Sequence, residues 1–397
     1  MKVYILLMLP LFLSATPISV LIQHTKNSHL SLKAIEHRIL SINYQYKATK
    51  NFKDPVISLG LSDIQFQDLT NRSLEPMQYS SVNFQQSIPF FGKRAANGKK
   101  ILAKEQIAKM DLQQTMVTLV KGIKITSYTI WQAEQLLYIT KKYISLTKQD
   151  IKLYTAYSSS ESSSHIQMIA ARLFLSELQI KQSNLQAVIK GLYKKLSYLS
   201  NMDVSHVKLN MKIYKLKPIG YYLKDIASNK EYKLKQAVLR EADADVRIKK
   251  LAYYPDPYVK VGYYHRQRFK DYTGITVGCS LPIYGTQHLN EEQSQAMVLS
   301  KNSDILNFKS DLTARIKRVY ADAQSSYQIY NILTNQSIPQ VQDLQHVSNA
   351  YISNGTSLFV YIDTLKRQFI LKERQIIANA SYHRRLATLN ALIGRKN

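Results

Sequence analysis

A chain of 397 residues is long enough for two or three ordinary domains, yet only 12 Gly and 10 Pro punctuate it. Its one cysteine, Cys279, excludes an intramolecular disulfide. The net charge of +27 would suit nucleic acid, but the Lys and Arg residues are dispersed along the chain, so a solvated basic surface is expected and no nucleic-acid partner.

Lys2 precedes an apolar run from Val3 to Leu13 and the small residues Ser14, Ala15 and Thr16. This order reads as a secretory leader, placed at residues 1–20. No later run of about 18 apolar residues occurs, so no transmembrane helix is expected. A helix is predicted over 31–52, followed by a hairpin within 55–89. Ile57, Leu59 and Leu61 alternate with Ser58, Gly60 and Ser62, and Val82, Phe84 and Ile88 share a face opposite Asn83, Gln85 and Ser87. A long helix is predicted over 93–158, because this stretch has no proline and Met116, Ile123, Ile130, Leu137, Ile144 and Ile151 recur every seven residues. At 1.5 Å per residue it would span roughly 100 Å. A return helix follows over 163–200, then a mid-section over 202–224 holding Pro218 and Gly220.

The plan then repeats. A helix over about 225–253 leads to a hairpin within 257–282, where Val259, Val261 and Tyr263 form one alternating set. Ile275, Val277, Cys279 and Leu281 form the next. A long helix over 286–352, kinked at Pro339, and a return helix over 358–395 complete it. The strand-to-helix corner "SIPFFGKR" recurs as "SLPIYGTQ": Pro282 and Gly285 follow Pro89 and Gly92 at a spacing of 193, and Leu389 and Leu392 follow Leu196 and Leu199 at the same spacing. Residues 21–201 and 225–397 therefore read as two copies of one unit joined by the mid-section. Strands that are apolar on one face and polar on the other fit a half-buried sheet, and equally a membrane barrel assembled from several chains. The helices, packed side by side, fit a tube.

These corners, together with "SIPQVQDLQHVSNAYISNGTSLFVYIDTLKRQ", resemble the outer-membrane efflux protein family, the TolC-like channels, over nearly the whole chain. The short mid-section and "LNALIG" are more similar to the heavy-metal and RND-type branch. The resemblance implies an α+β membrane protein: a long antiparallel coiled-coil barrel plus two hairpins, whose four strands join those of two further chains in a twelve-stranded transmembrane barrel. It implies a homotrimer in outer-membrane lipid, with a helical tunnel in the periplasm. The partners it implies are a periplasmic adaptor and an inner-membrane transporter. The exit duct of a tripartite efflux system is favoured over type I protein secretion, and a structural periplasmic coiled-coil protein would not explain the matched corners.

Within this resemblance the helix tips, at Ser162 and at Asn354, Gly355 and Thr356, would dock the adaptor. Phe359, Tyr361 and Asp363 would line a periplasmic gate. The family often carries an acid six residues after the tip glycine; here Tyr361 stands there and Asp363 lies two residues on, which favours a partly aromatic constriction. Tyr79, Tyr258, Tyr263, Tyr264 and Tyr272 lie near strand ends, where interfacial girdles are expected. No phosphate loop, zinc-protease helix or catalytic triad order is present. An enzyme, a cofactor or a metal site is not expected: His165 reads as a solvated turn residue and Cys279 as a small hydrophobe.

Overall fold

The computed structural model describes residues 16–157, 162–352 and 358–395. In chain order these form β1 (Thr16–Pro17), α1 (Ile18–Ser28), α2 (Leu30–Ala48), β2 (Val56–Ser62), β3 (Tyr79–Ser87), α3 (Lys93–Tyr157) and α4 (Ser162–Ser200). Then come β4 (Val207–Lys208), α5 (Ile219–Leu223), a single 3-10 turn at Ile226–Ser228, α6 (Lys230–Leu251), β5 (Pro257–His265) and β6 (Tyr272–Cys279). The chain continues with α7 (Thr286–Ile332), a π-helical turn (Leu333–Ser337), α8 (Ile338–Ile352) and α9 (Leu358–Leu392). The predicted tip residues Asn354, Gly355 and Thr356, and residues 1–15 of the leader predicted over 1–20, lie outside the described residues.

The chain divides into two compact units. One, formed by residues 34–112 and 231–308, holds a four-stranded antiparallel sheet in the order β2-β3-β5-β6. Each strand pairs in register across the sheet: Ile57 lies opposite Phe84, Phe84 opposite Val261 and Val261 opposite Ile275. The β2–β3 loop is closed by side chains. Arg72 Nη2 donates to the carbonyls of Ser62 and Tyr79, and Gln78 Nε2 donates to the Asp63 carbonyl at 3.1 Å. At both corners a left-handed glycine turns the chain from strand to helix, Gly92 at φ +76° and Gly285 at φ +74°, a conformation open to glycine at little cost.

The other unit comprises residues 113–230, those from Lys309 onward and those up to Lys33. Its core is helical. Ile123, Ile130 and Ile144 of the sevenfold pattern are buried, and so is a second row at the same spacing, Leu119, Thr126, Ala133, Thr140 and Thr147. Thr140 satisfies its hydroxyl by donating to the Leu136 carbonyl one turn back at 2.7 Å. One cluster joins Leu136, Tyr143, Phe174, Leu178, Leu365 and Phe369 across α3, α4 and α9. Another packs Leu21 of α1 against Ile123, Ile130, Leu196 and Val204.

Three predicted helices are shorter or interrupted. His29, extended at ψ 124°, separates α1 from α2; its Nδ1 accepts the Ser31 N–H at 3.2 Å and so caps the second helix. The helix predicted to reach Phe52 ends at Ala48. The helix expected from 225 begins at Lys230, because the 3-10 turn precedes it. At Pro339 the break spreads into the π-helical turn before it, where the carbonyl that a proline nitrogen cannot reach is accommodated by one wider turn.

The C-termini of α4 and α9 end alike. Asn201 (φ +51°) and Gly394 (φ +68°) are both left-handed. Met202 N–H reaches back to the Ser197 carbonyl at 3.2 Å and Arg395 N–H to that of Asn390 at 3.0 Å, the bond pattern of a Schellman cap.

Candidate functional site

The sheet has two chemically distinct faces. Register places Ile57, Leu59, Val82, Phe84, Val261, Ile275 and Val277 on one face, and all of them are exposed, Leu59 at 80% and Ile275 at 76%. Cys279 shares this face and is also exposed. An exposed apolar surface of this kind marks a face that meets another chain or lipid. The opposite face carries Ser58, Gly60, Ser81, Asn83, Gln85, Lys260 and Thr276.

Four of the five tyrosines expected in an outward girdle lie on this polar face instead. Tyr79, Tyr258, Tyr264 and Tyr272 follow the parity of Asn83 and Gly262, while Tyr263 alone shares a face with Val261. Their rings form a layer against the sheet. Tyr264 stacks on Tyr272 at 4.7 Å and meets Tyr79 edge-on at 5.0 Å. The Tyr264 hydroxyl donates to Asn83 Oδ1 at 3.3 Å. The Tyr258 and Tyr264 rings lie close against the sheet because glycine sits beneath them: a Cβ on Gly278 would come within 2.5 Å of the Tyr258 ring, and one on Gly262 within 2.7 Å of the Tyr264 hydroxyl. Strand-end position alone had suggested a girdle; the strand parity that decides the face was available in the sequence. Exposed aromatic residues stand at the corners, Phe52, Phe90, Phe91, Tyr254 and Tyr284, and also on the hairpins and their loops, Phe66, Phe84, Tyr263, Phe269 and Tyr272. Phe91 stacks on Tyr254 at 4.7 Å. Pro89 and Pro282 lie just past the strands, and the Ile88 N–H before Pro89 still reaches the Pro257 carbonyl at 2.9 Å.

At the start of α9 the predicted gate residues separate. Phe359 and Ser162 fall in the first turns of α9 and α4. Asp363 forms an ion pair with Arg367 on its own helix at 2.7 Å. Tyr361 turns to α3, where its hydroxyl lies 3.5 Å from Asp150 Oδ1, and it packs against the Leu136–Phe369 cluster. Two turns further on, the Tyr143 hydroxyl donates to Gln368 Oε1 at 2.6 Å. Asp150 is the site residue that sequence reading missed, an acid in a seam whose other buried polar residues are uncharged threonines and Gln368.

Burial pushes the Asp150 carboxyl up to about 6, against a smaller opposing effect of its Tyr361 hydrogen bond. Its Oδ2 is buried without a hydrogen-bond partner among the described residues. An unfolded Asp titrates near ~4, so between that pH and 6 the folded chain holds a proton that the unfolded chain has released. The stabilisation is complete below ~4 and is lost as pH rises through 6, on the order of 1 kcal/mol after solvent screening of this partly exposed group. Thermal unfolding of Asp150→Asn should therefore change less between pH 5 and 7.5 than that of the unaltered protein. Parallel curves would show that Asp150 titrates normally.

Among the described residues no group of three His, Cys, Asp or Glu side chains could hold a metal ion, and no helix is long and apolar enough to cross a membrane. No family model matches the chain, and no curated protein matches it by sequence. Solved structures do match. The open-state MtrE outer membrane channel of Neisseria gonorrhoeae aligns at TM-score 0.78 and 12% identity, over 95% of this chain and 88% of that one. The outer membrane protein VceC of Vibrio cholerae aligns at 0.77 and 12%, over 95% and 96%. A membrane protein from Pseudomonas aeruginosa aligns at 0.79 and 13%, over 95% and 92%. The chain has the fold of the TolC-like outer-membrane efflux channels. At this level of identity the likeness is one of fold.

Proposed function

We propose that this chain is the exit duct of an efflux system, set in the outer membrane and passively conducting what an inner-membrane pump delivers through a periplasmic adaptor. The observation that carries this is the sheet. It exposes an apolar face, turns a polar face the other way, and leaves β2 and β6 as edges without a partner strand among the described residues. Open edges and open apolar surface are tolerated in lipid only when the sheet closes into a barrel. Four strands are too few, and neighbours in the order β2-β3-β5-β6 are all antiparallel. The β6 edge of one copy can thus receive β2 of the next antiparallel, and three copies give twelve strands. The polar face, with its tyrosines, would line the passage. Exposed Ile169, Leu173 and Ile180 on α4 form a stripe on one helix face that neighbouring copies would cover.

The matched corners and caps support a duplicated plan, each copy supplying one hairpin and one long helix. The Tyr361–Asp150 contact ties α9 to α3 at the tip end, and its opening would accompany adaptor docking. A leader ending at Ala15, rather than at residue 20, would keep the Thr16 N–H on the His206 carbonyl at 2.9 Å and keep β1 paired with β4.

The test is the mass of the mature protein extracted from the outer-membrane fraction in mild detergent. Three chains per particle are expected. A monomer in the soluble periplasmic fraction would refute the duct.

A further inference from the structure

The Pro89 corner also borders an open recess of about 420 Å³, bounded by the end of α2, the segment before β2 and the first turns of α3. Four cations line it, Lys53, Lys93, Arg94 and Lys100, with the single acid Asp256. Two of the four are neutralised. Lys93 pairs with Asp256 at 2.8 Å and Lys100 with Asp245 at 2.6 Å. Lys53 and Arg94 have no carboxylate within ion-pair distance among the described residues. The Arg94 guanidinium lies over the Phe52 ring at 4.2 Å and donates through Nη2 to the Lys50 carbonyl. Its Nε is buried without a hydrogen-bond partner among the described residues. A buried cationic donor left unpaired is costly, and an anionic oxygen is its strongest acceptor.

The surroundings narrow the anion. Phe52, Pro89 and Ile101 share the lining with the cations. Exposed Phe90 and Phe91 stand at the same corner, where the apolar face of the sheet ends. A cationic recess beside exposed aromatic and aliphatic surface suits a ligand with a phosphate at one end and hydrocarbon at the other. We propose that this recess holds the phosphate of an anionic phospholipid, its acyl chains running along the apolar face of the sheet. This occupancy rests on the sheet lying in a membrane as proposed above.

Binding is measured with water-soluble dihexanoyl-phosphatidylglycerol and with inorganic phosphate, on the purified protein and on Lys53→Gln and Lys53→Gln/Arg94→Gln, with particle mass as the control for folding. The unaltered protein should bind the short-chain lipid, and co-purified phospholipid should be present in its particles. The single variant should weaken binding, and the double variant should weaken it tenfold or more and lose the co-purified lipid. Equal lipid binding by the double variant would overturn the site. Saturation by inorganic phosphate with no gain from the lipid would overturn the lipid assignment in favour of a free anion. Because the short-chain lipid is soluble, its binding is read even if the protein proves not to reside in a membrane, so the two failures stay distinct.

Discussion

Val261→Lys is expected to eliminate the assembled protein from the membrane fraction. Val261 sits near the middle of β5, flanked in register by Phe84 and Ile275 on the exposed apolar face. A lysine on the lipid side of a barrel costs about 2–4 kcal/mol at the midplane, and in a trimer the charge enters three times. The long side chain cannot escape to the other face, since strand parity fixes its direction. Ser58→Lys is the control. Ser58 pairs with Asn83 on the polar face, where a lysine stays hydrated, and assembly should survive. The measurement is the amount of detergent-resistant trimer in the outer-membrane fraction. Normal levels for Val261→Lys would mean that this face does not meet lipid.

Gly394→Val should strongly destabilise the helical unit. Two costs combine. The residue stands at φ +68°, a region that a β-branched side chain enters at about 1–3 kcal/mol. Its Cβ would also come within 2.3 Å of the Ser228 carbonyl oxygen. That carbonyl cannot easily retreat, because the residues around it are tied to the end of α9: Asn229 Nδ2 donates to the Leu392 carbonyl at 2.7 Å, and Arg395 pairs with Asp225 at 2.8 Å. A loss above ~3 kcal/mol is expected, a large fraction of the stability of a marginal protein. Asn201 holds the equivalent cap on α4 and is left-handed without being glycine, so Asn201→Gly should shift stability by less than ~1 kcal/mol. Thermal unfolding of both variants reads the contrast. An unchanged midpoint for Gly394→Val would show that the cap is not tight.

The two faces of the sheet were legible because a strand alternates strictly and adjacent residues must point apart. The corners were legible because proline and glycine restrict or permit backbone angles by their own covalent structure. The helical seam was only half legible. Reading apolar residues alone found Ile123, Ile130 and Ile144 but passed over Thr126, Thr140 and Thr147, which are buried just as deeply. A threonine inside a helix can satisfy its hydroxyl one turn back, as Thr140 does, so polarity did not exclude it from the seam.

Asp150 was passed over for the same reason, and its partner Tyr361 lies 211 residues away in the chain. The sequence by itself determined what short-range sterics and periodicity control: helix and strand, the place of each corner, and the polar or apolar character of each strand face. Only the tertiary structure decided which surfaces meet. Tyr361 turns to α3 while Asp363 stays on its own helix, Tyr258 and Tyr264 lie close over glycines, and Arg94 is left with a donor unpaired among the described residues beside Lys53. Each of these depends on many weak contacts between segments far apart in sequence, and no local pattern encodes their sum.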